Sequence, residues 1–592
     1  MPDIFNQILH QITTNPGDNI RGIIIILVLL AIAFKLAPRG VSIAGHDAGQ
    51  LFLLAALPLF FIDFATSAEY AAGELHSVLA EAHLQSYAPI ADITIALLNI
   101  AFGGLYIYAL GVFRDGGGAS TASLRYLGPM AAIMVAFLLL EDYTLTVVVS
   151  SLSGADQLLS TINQLDASPI WHILLGVGIA WLTCWLTLRG RKGASFVTFI
   201  ILFMYASLMV ITFIALGVQT AQGVKTVPNA AGQFVPITPL AAPAANIDAA
   251  HIVGVVANSV LHGLVALTGL EAVSNGLQFI KDDDANYVKW AKKHLPKWQG
   301  LWQFLSGRVG VGRTIQFGFL FWGGLTTTFN SYFSNYFNVI DKTNGRTLVG
   351  NLAYIGLIPL GGFVLYFFRQ VWSSLTLSFA NMTAYEDIQS TAYRDGVRGI
   401  LPVALVYRAP NGNFPRPVLL TFGVATLIMV LVGGNTSAAI PFYGIGVFAP
   451  IAFMGFSVRQ HLLHTKPRGY KIAAGATFLI ASLSVFIFMS QIVGKFEEGG
   501  WIRLITFSSL YIMGHIILLS KAGERSNAMA HHLIHDVSRI EGTMAELLTW
   551  QTNMMQTYRE NLMRRRRNLQ NHEEVVLPIL PYPPYQIHYD QH

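Results

Sequence analysis

The chain has 592 residues, of which 53% are hydrophobic and only 12% are charged. A soluble domain carries about 25% charged residues, so this composition excludes a soluble protein and, with many apolar stretches near 20 residues, predicts a polytopic membrane protein. A single cysteine, Cys184, excludes an internal disulfide, and the sequence has no Cys/His zinc pattern. The formal net charge of +5 is modest and is informative only when it is followed loop by loop.

Thirteen apolar segments follow one another along the chain. The first, about residues 22–37, is short for a full span, and Lys35 and Arg39 stand where a signal peptide would have its cleavage site. A signal peptide is therefore excluded, while an extra transmembrane helix and an interfacial helix both stay open. The twelve other segments form the predicted core: 50–80, 89–112, 126–153, 168–187, 194–218, 250–280, 314–337, 352–380, 417–433, 438–457, 471–493 and 500–520.

Basic residues alternate from loop to loop. Loops 81–88 and 154–167 contain neither Lys nor Arg, whereas loop 281–313 contains seven. This alternation follows the positive-inside rule and predicts that the start of the first core span and the C-terminus face the cytoplasm. Loop 338–351 departs mildly from the pattern because it carries Lys342 and Arg346.

The sequence divides into three parts. Residues 1–49 are an N-terminal segment with the extra apolar stretch, and residues 50–520 are the membrane-spanning core. Residues 521–592 are a polar tail, predicted to be cytoplasmic and helical at first, with a basic run at Arg564–Arg567 and a Pro-rich end. A basic run near a membrane is more often attracted to anionic lipid than to a specific partner.

Carboxylates inside the apolar segments are the most informative feature of the chain. An ionised Asp at the centre of a membrane span costs about 2.5–3.5 kcal/mol on insertion scales. Several such costs persist only where the groups face one another, a cavity or an ion. The pattern therefore indicates a transporter of cations. The acids are Asp63, Glu69, Glu141, Asp142 and Glu271.

The first and sixth core spans carry matching polar, glycine-interrupted stretches at about 63–73 and 268–276. Such a pair five spans apart is typical of a transporter built from inverted repeats. Unwound backbone at these places would expose carbonyl oxygens that can bind a cation. Helix packing through small residues is the alternative. It accounts for Gly269 and Gly276 but not for the carboxylates.

The third core span contributes two neighbouring acids. Asp142 and Thr146 are one helical turn apart and share a face, whereas Glu141 points about 100° away. One acid of the two is therefore expected to share a cavity with Thr146. Carboxylate, hydroxyl and carbonyl oxygens suit a hard alkali cation, and the near absence of Arg and Lys from the spans argues against an anionic substrate.

Eight motifs, in order between about residues 50 and 520, resemble those of potassium permeases of the KUP/KimA type, in the amino acid–polyamine–organocation (APC) superfamily. The stretch that ends in Asn275 and Gly276 is the most specific of them. The motifs are Leu57-Pro58 with Asp63 to Tyr70, Gly116–Ala119, Asp142–Thr146, Thr268–Gly276, Ala380–Asp387, Arg394–Gly396, Ile440–Phe448 and Lys495–Trp501.

The resemblance implies an all-α membrane protein with a LeuT-like fold, in which two inverted five-helix repeats are followed by two further helices. It also implies a proton-coupling role for Glu271. Glu69 and Glu141 replace residues that are usually apolar in the family, so they are additional acids without an assigned role. The implied potassium-binding residues are Asp63, Tyr70, Asp142, Thr146, Thr268 and Tyr443, with Asp63 and Asp142 as the carboxylate ligands.

The predicted function is potassium import, by proton symport driven by the membrane potential, in a bacterial plasma (inner) membrane. Potassium and protons are expected as substrates, with no cofactor and no enzymatic activity. The expected partners are potassium and the lipid bilayer, without nucleic acid, and a homodimer is left open. Two alternatives stay open: a proton-coupled amino acid or polyamine permease, and a transport-inactive sensor or scaffold that uses the tail.

Overall fold

The structure is a computed structural model of the chain. The predictions for the tail, 521–592, lie outside the described residues, as do residues 1–12, 14 and 39–50 ahead of the first core span. The structure describes residues 13, 15–38, 51–114, 116–162, 168–189, 194–229, 232–237, 248–342, 345–397, 405, 407, 409, 413–496 and 501–519.

Almost all of the described chain is helical. A short antiparallel hairpin, β1 (Thr226–Pro228) and β2 (Phe234–Pro236), pairs Val227 with Val235. The helices are α1 (Pro16–Leu36), α2 (Leu53–Thr66), α3 (Ala68–Glu81), α4 (Ala88–Val112), α5 (Gly118–Tyr126), α6 (Pro129–Thr161), α7 (Pro169–Arg189), α8 (Ala194–Ala221), α9 (Ala249–Gly263), α10 (Ala272–Gly276), α11 (Asn286–His294), α12 (Gln299–Phe304), α13 (Gly307–Phe337), α14 (Leu348–Val397), α15 (Pro415–Leu431), α16 (Thr436–Thr465), α17 (Tyr470–Gly494) and α18 (Trp501–Leu519).

A helix stands at each of the twelve predicted core segments. Within the described residues, ten helical stretches are long and apolar enough to cross a membrane, and α1 is one of them. The chain is therefore an integral membrane protein, with an apolar helix ahead of the core. Core spans 1 to 12 are, in order, α2–α3, α4, α6, α7, α8, α9–α10, α13, α14, α15, α16, α17 and α18.

The packing of the core repeats with an offset of five spans. Span 1 packs against span 6, span 2 against span 7, span 3 against span 8 and span 4 against span 9. Each pair joins corresponding helices of two consecutive five-helix units, and spans 11 and 12 follow these units. This arrangement is the predicted fold, an all-α bundle of two five-helix repeats plus two helices.

Spans 1 and 6 are interrupted to different extents. Span 6 is unwound, because a 3₁₀ turn at Leu264–Leu267 leads to extended backbone at Thr268 and to a positive φ of 81° at Gly269. That φ favours glycine. Span 1 is interrupted at Ser67 alone, which keeps a helical φ and ψ. Both predicted interruptions are therefore present, but the one in span 1 is slight and contains no glycine.

Span 8 bends where α1 contacts it. The backbone of α14 leaves helical geometry at Gly361 and Gly362. The Asn19 side-chain oxygen accepts a hydrogen bond from the backbone N–H of Val364 at 3.1 Å, in the first turn after the bend. Asn19 is buried in this contact. A residue of α1 thus caps the second half of span 8, as an N-cap residue does within one chain segment.

We expect Asn19→Ala to lower the stability of the protein by about 1 kcal/mol, since loss of a capping side chain has that typical cost. Thermal unfolding of the purified protein in detergent measures the change. Asn15→Ala is the matched control, because Asn15 is an exposed asparagine at the start of the same helix and makes no side-chain cap. Equal effects of the two substitutions would contradict the capping role.

Candidate functional site

The centre of the bundle joins the break in span 1 to the unwound part of span 6. The Ser67 hydroxyl lies 2.7 Å from the Thr268 hydroxyl and 3.1 Å from that of Tyr70. The hydroxyls of Thr66 and Ser67 both donate to the carbonyl of Asp63, at 2.9 and 3.3 Å. Three of the predicted ligand residues, Asp63, Tyr70 and Thr268, are thus brought together by one cluster of hydroxyl groups.

Span 3 meets span 10 beside this cluster. The Thr146 hydroxyl donates to the Tyr443 hydroxyl at 2.9 Å, and both residues are buried. The carboxylate of Asp142 is close enough to repel that of Asp63. The structure therefore gathers all six predicted ligand residues at the contact of spans 1, 3, 6 and 10. Glu141, one position round the helix from Asp142, is half-buried, and the division between the two acids stays a prediction.

Glu271 lies on the side of span 6 that faces span 3. The Tyr143 hydroxyl donates to its carboxylate at 3.4 Å, and the Asn275 amide donates to the Tyr143 hydroxyl at 2.7 Å. Asp142 and Asp387 are both near enough to repel Glu271. A chain of three acids, Asp63, Asp142 and Glu271, thus runs through the bundle with Asp142 in the middle. One proton or cation bound anywhere along it stabilises its neighbours.

Several sequence motifs that are far apart in the chain meet on one side of this site. The backbone N–H of Gly117 donates to the carbonyl of Asn275 at 3.3 Å, and a Cβ at Gly118 would collide with the Asn275 side chain. The Ser120 hydroxyl, two residues further on, donates to the carboxylate of Asp395 at 3.1 Å. The glycine turn, the Asn275 motif of span 6 and the Arg-Asp-Gly motif therefore form one contact.

Glu69 has a partner that the sequence reasoning overlooked. Arg369 of span 8 binds its carboxylate with both terminal nitrogens, at 2.8 and 3.2 Å. The two side chains are 0% and 1% exposed. The Ser373 hydroxyl donates to the same carboxylate at 3.3 Å. Glu69 is thus neutralised two residues from the interruption in span 1.

Arg369 is one of the few cationic residues inside the predicted spans. Its charge is matched by Glu69 in bidentate geometry, which is the strong form of such a pair. It therefore does not leave a free positive charge for an anionic substrate. The sequence signal for this contact was the presence of one acid in span 1 and one base in span 8, both unusual inside a membrane span.

Further acids lie at the end of the bundle that is predicted to face outward. The Ser437 hydroxyl donates to the Glu74 carboxylate at 2.6 Å and accepts from the Lys342 ammonium group. Asp341 accepts from the backbone N–H of Leu348 at 2.6 Å. Burial raises the pKa of the Asp341 carboxyl above its ordinary value, an effect that the neighbouring Lys342 opposes. The motif search did not single out this group.

Comparison with known proteins agrees with this architecture. The family model described as amino acid permease matches residues 64–291. A curated relative, the potassium transporter KimA of Bacillus subtilis (strain 168), is 24% identical over 515 residues, which cover 82% of this chain and 78% of the relative. The chain is thus similar to transporters of the APC type, in agreement with the resemblance of its motifs, and the protein is a transporter.

Similarity to solved structures is weaker. A mutant manganese transporter of Eremococcus coleocola aligns with a TM-score of 0.43 at 13% identity, covering 83% of this chain and all of that chain. The same transporter bound to an aromatic bis-isothiourea compound aligns with a TM-score of 0.40 at 12% identity, with the same coverage. Likenesses of this size add nothing to the assignment. Among the described residues, no group of three or more His, Cys, Asp and Glu side chains is arranged to hold a metal ion.

We expect Arg369→Met alone to destabilise the protein by about 3–5 kcal/mol, because the Glu69 carboxylate stays buried without its partner. The double variant Glu69→Leu/Arg369→Met should recover most of this loss, since it removes both buried charges. Thermal unfolding in detergent measures both effects.

Arg21→Met is the control, because the Arg21 side chain is 68% exposed in its pair with Asp18. Breaking an exposed pair of this kind costs at most about 1 kcal/mol. The pairing argument would be contradicted if the double variant lost as much stability as Glu69→Leu and Arg369→Met lose together when each is made alone.

Proposed function

We propose that this APC-superfamily transporter imports potassium together with protons. The observation that carries the proposal is the gathering of two carboxylates and four hydroxyl-bearing residues at the contact of spans 1, 3, 6 and 10. Oxygen ligands of these types suit a hard, weakly hydrated monovalent cation. The named relative is a potassium transporter, which supports the same ion. The residues proposed to hold it are Asp63, Tyr70, Asp142, Thr146, Thr268 and Tyr443.

The crowding of acids supports coupling to protons. Asp142 lies between Asp63 and Glu271 and repels both. Carboxylates this close in a medium of low dielectric constant do not all ionise together, so the group titrates as a unit and keeps a proton when no cation is bound. Glu271 is the proposed proton carrier, since it lies at the end of the chain of acids and accepts from Tyr143.

The proposed cycle begins at the outward end, where Glu74 and Asp341 attract cations. A potassium ion then reaches Asp63 and Asp142, and a proton occupies Glu271. Together these charges neutralise the three acids and permit one repeat to move against the other. Each positive charge carried inward gains about 2.3 kcal/mol per 100 mV of membrane potential. The proposed location is a bacterial plasma membrane, with the C-terminus in the cytoplasm.

Uptake of an amino acid or polyamine is the second candidate, because the matching family model is described as amino acid permease. An amino acid carboxylate needs free backbone N–H groups at the break in span 1. Here the interruption is one residue long, and the N–H of Ala71 already donates to the carbonyl of Ser67 at 3.0 Å. An N–H group that is already used in this way does not bind a carboxylate, which favours a small cation.

We expect Asp142→Asn to abolish rubidium uptake into proteoliposomes that contain the purified protein, because the central carboxylate ligand loses its charge. Glu81→Gln is the control, since Glu81 is an exposed acid at the end of span 1. Normal uptake by the Asp142→Asn variant would overturn the site. Uptake of labelled amino acids or polyamines without rubidium would favour the second candidate, and a complete lack of flux in the unmodified protein would favour a sensor or scaffold.

Glu271→Gln should abolish proton transport without abolishing cation binding. A neutral amide in place of the proposed proton carrier is expected to stop acidification of the proteoliposome lumen, while rubidium still protects the protein against thermal unfolding. Simultaneous recording of rubidium uptake and internal pH measures the first effect. Undiminished acidification in this variant would show that the proton travels elsewhere.

A further inference from the structure

A basic cavity lies away from the proposed cation site, at the end of the bundle that is predicted to face the cytoplasm. Its volume is about 680 Å³, within the range of small-molecule sites. Spans 2, 7 and 10 and the loop between spans 6 and 7 form its walls. The side chains that carry the argument are Arg114, Arg308, Arg313, Asp282 and His461.

The three arginines are held by backbone carbonyl groups. Arg114 donates through Nε to Gly111 at 3.3 Å, and Arg308 donates through Nε to Ile280 at 2.9 Å. Arg313 donates to Ile107 at 3.2 Å and to Phe304 at 2.8 Å. Since a guanidinium group has five N–H donors, each arginine keeps donors for a ligand, and Arg308 and Arg313 are oriented by the stronger of these contacts.

The charge of the cavity is positive. Among the described residues, none of the three arginines forms a salt bridge with a carboxylate. Asp282 is the acid in the wall, and its carboxylate accepts from the backbone N–H of Arg308 at 2.9 Å. His461 is hydrogen-bonded to Tyr126 at 2.7 Å. Three guanidinium groups against one carboxylate select an anion.

The surroundings of the cavity place it at the height of lipid headgroups. Tyr108 in its wall is 39% exposed, and Trp290 and Trp298, in the loop between spans 6 and 7 that contributes Asp282 and Gln303 to the wall, are 57% and 62% exposed. Aromatic side chains with this exposure are enriched at membrane–water interfaces. Basic pockets between transmembrane helices on the cytoplasmic side typically bind anionic headgroups.

We propose that this cavity binds an anionic phosphoryl group, supplied either by a phospholipid headgroup or by a soluble phosphate compound. Guanidinium groups match the geometry of phosphate oxygens and bind them in pairs of hydrogen bonds. Because the arginines belong to spans 2 and 7 and to the segments that adjoin them, and His461 belongs to span 10, a bound phosphoryl group joins three spans and the 281–306 loop. The site is independent of the cation cluster.

The test measures the thermal unfolding of the full-length protein in neutral detergent with three probes. The anionic probes are added as Tris salts, so that the concentration of alkali cations stays constant. Dihexanoyl phosphatidylglycerol tests the lipid source, dihexanoyl phosphatidylcholine is its zwitterionic control, and inorganic pyrophosphate tests the soluble source against chloride at equal ionic strength. We expect phosphatidylglycerol, pyrophosphate or both to raise the unfolding temperature with saturation. The probe that does so identifies the source.

The variant Arg114→Gln/Arg308→Gln should lower the affinity of the protein for that probe roughly tenfold or more, since it removes charge-assisted hydrogen bonds. Arg189→Gln is the matched control, because Arg189 packs on Trp185 and does not line the cavity. If the double variant fails to fold, Arg114→Gln alone gives the same test, because Arg114 is exposed. The proposal would be overturned if no anionic probe raised the unfolding temperature. It would also be overturned if the variants needed the same probe concentration for half of the effect as the unmodified protein.

Discussion

Negative charge held away from water is the constraint around which this protein is organised. Three acids, Asp63, Asp142 and Glu271, follow one another through the middle of the bundle, each close enough to repel the next. Burial makes every ionised carboxylate costly, and repulsion adds to that cost. Such a group is stable only when protons or cations neutralise it. The hydroxyl groups of Ser67 and Tyr443 beside it supply hydrogen bonds but no charge, and in the proposed function a potassium ion and a proton supply the positive charge.

The Glu69–Arg369 pair solves the same problem in a different way. Its acid lies one residue from Tyr70 and yet is neutralised permanently, by a guanidinium group from span 8. A fixed counter-charge removes Glu69 from the acids that can exchange ions. The pair also ties the interrupted part of span 1 to span 8. Two kinds of buried acid thus lie side by side: the three that are proposed to bind a cation or a proton, and one that is paired with a fixed arginine.

The contacts between spans show why single motifs were informative. The glycine turn at Gly116–Gly118 is close-packed on Asn275, and Ser120 binds Asp395, so motifs that are more than 100 residues apart restrain one another. Because these residues are in contact, a change in the conformation of span 6 near Asn275 would also displace the turn before span 3. Where α1 caps the bend of span 8 through Asn19, the N-terminal helix is part of the same packed body.

The twelve core spans, the two-repeat plan and the three central acids could be predicted from the sequence, because a membrane imposes long apolar stretches and makes each buried carboxylate conspicuous. The helical period also places Asp142 and Glu141 on different faces of span 3. The remaining features depend on how the spans pack. Glu69 and Arg369 are 300 positions apart, and nothing local indicates that they pair. The slight break in span 1 and the deeper one in span 6 look alike in sequence, but side chains of neighbouring spans satisfy the backbone of the first, whereas Gly269 opens the second.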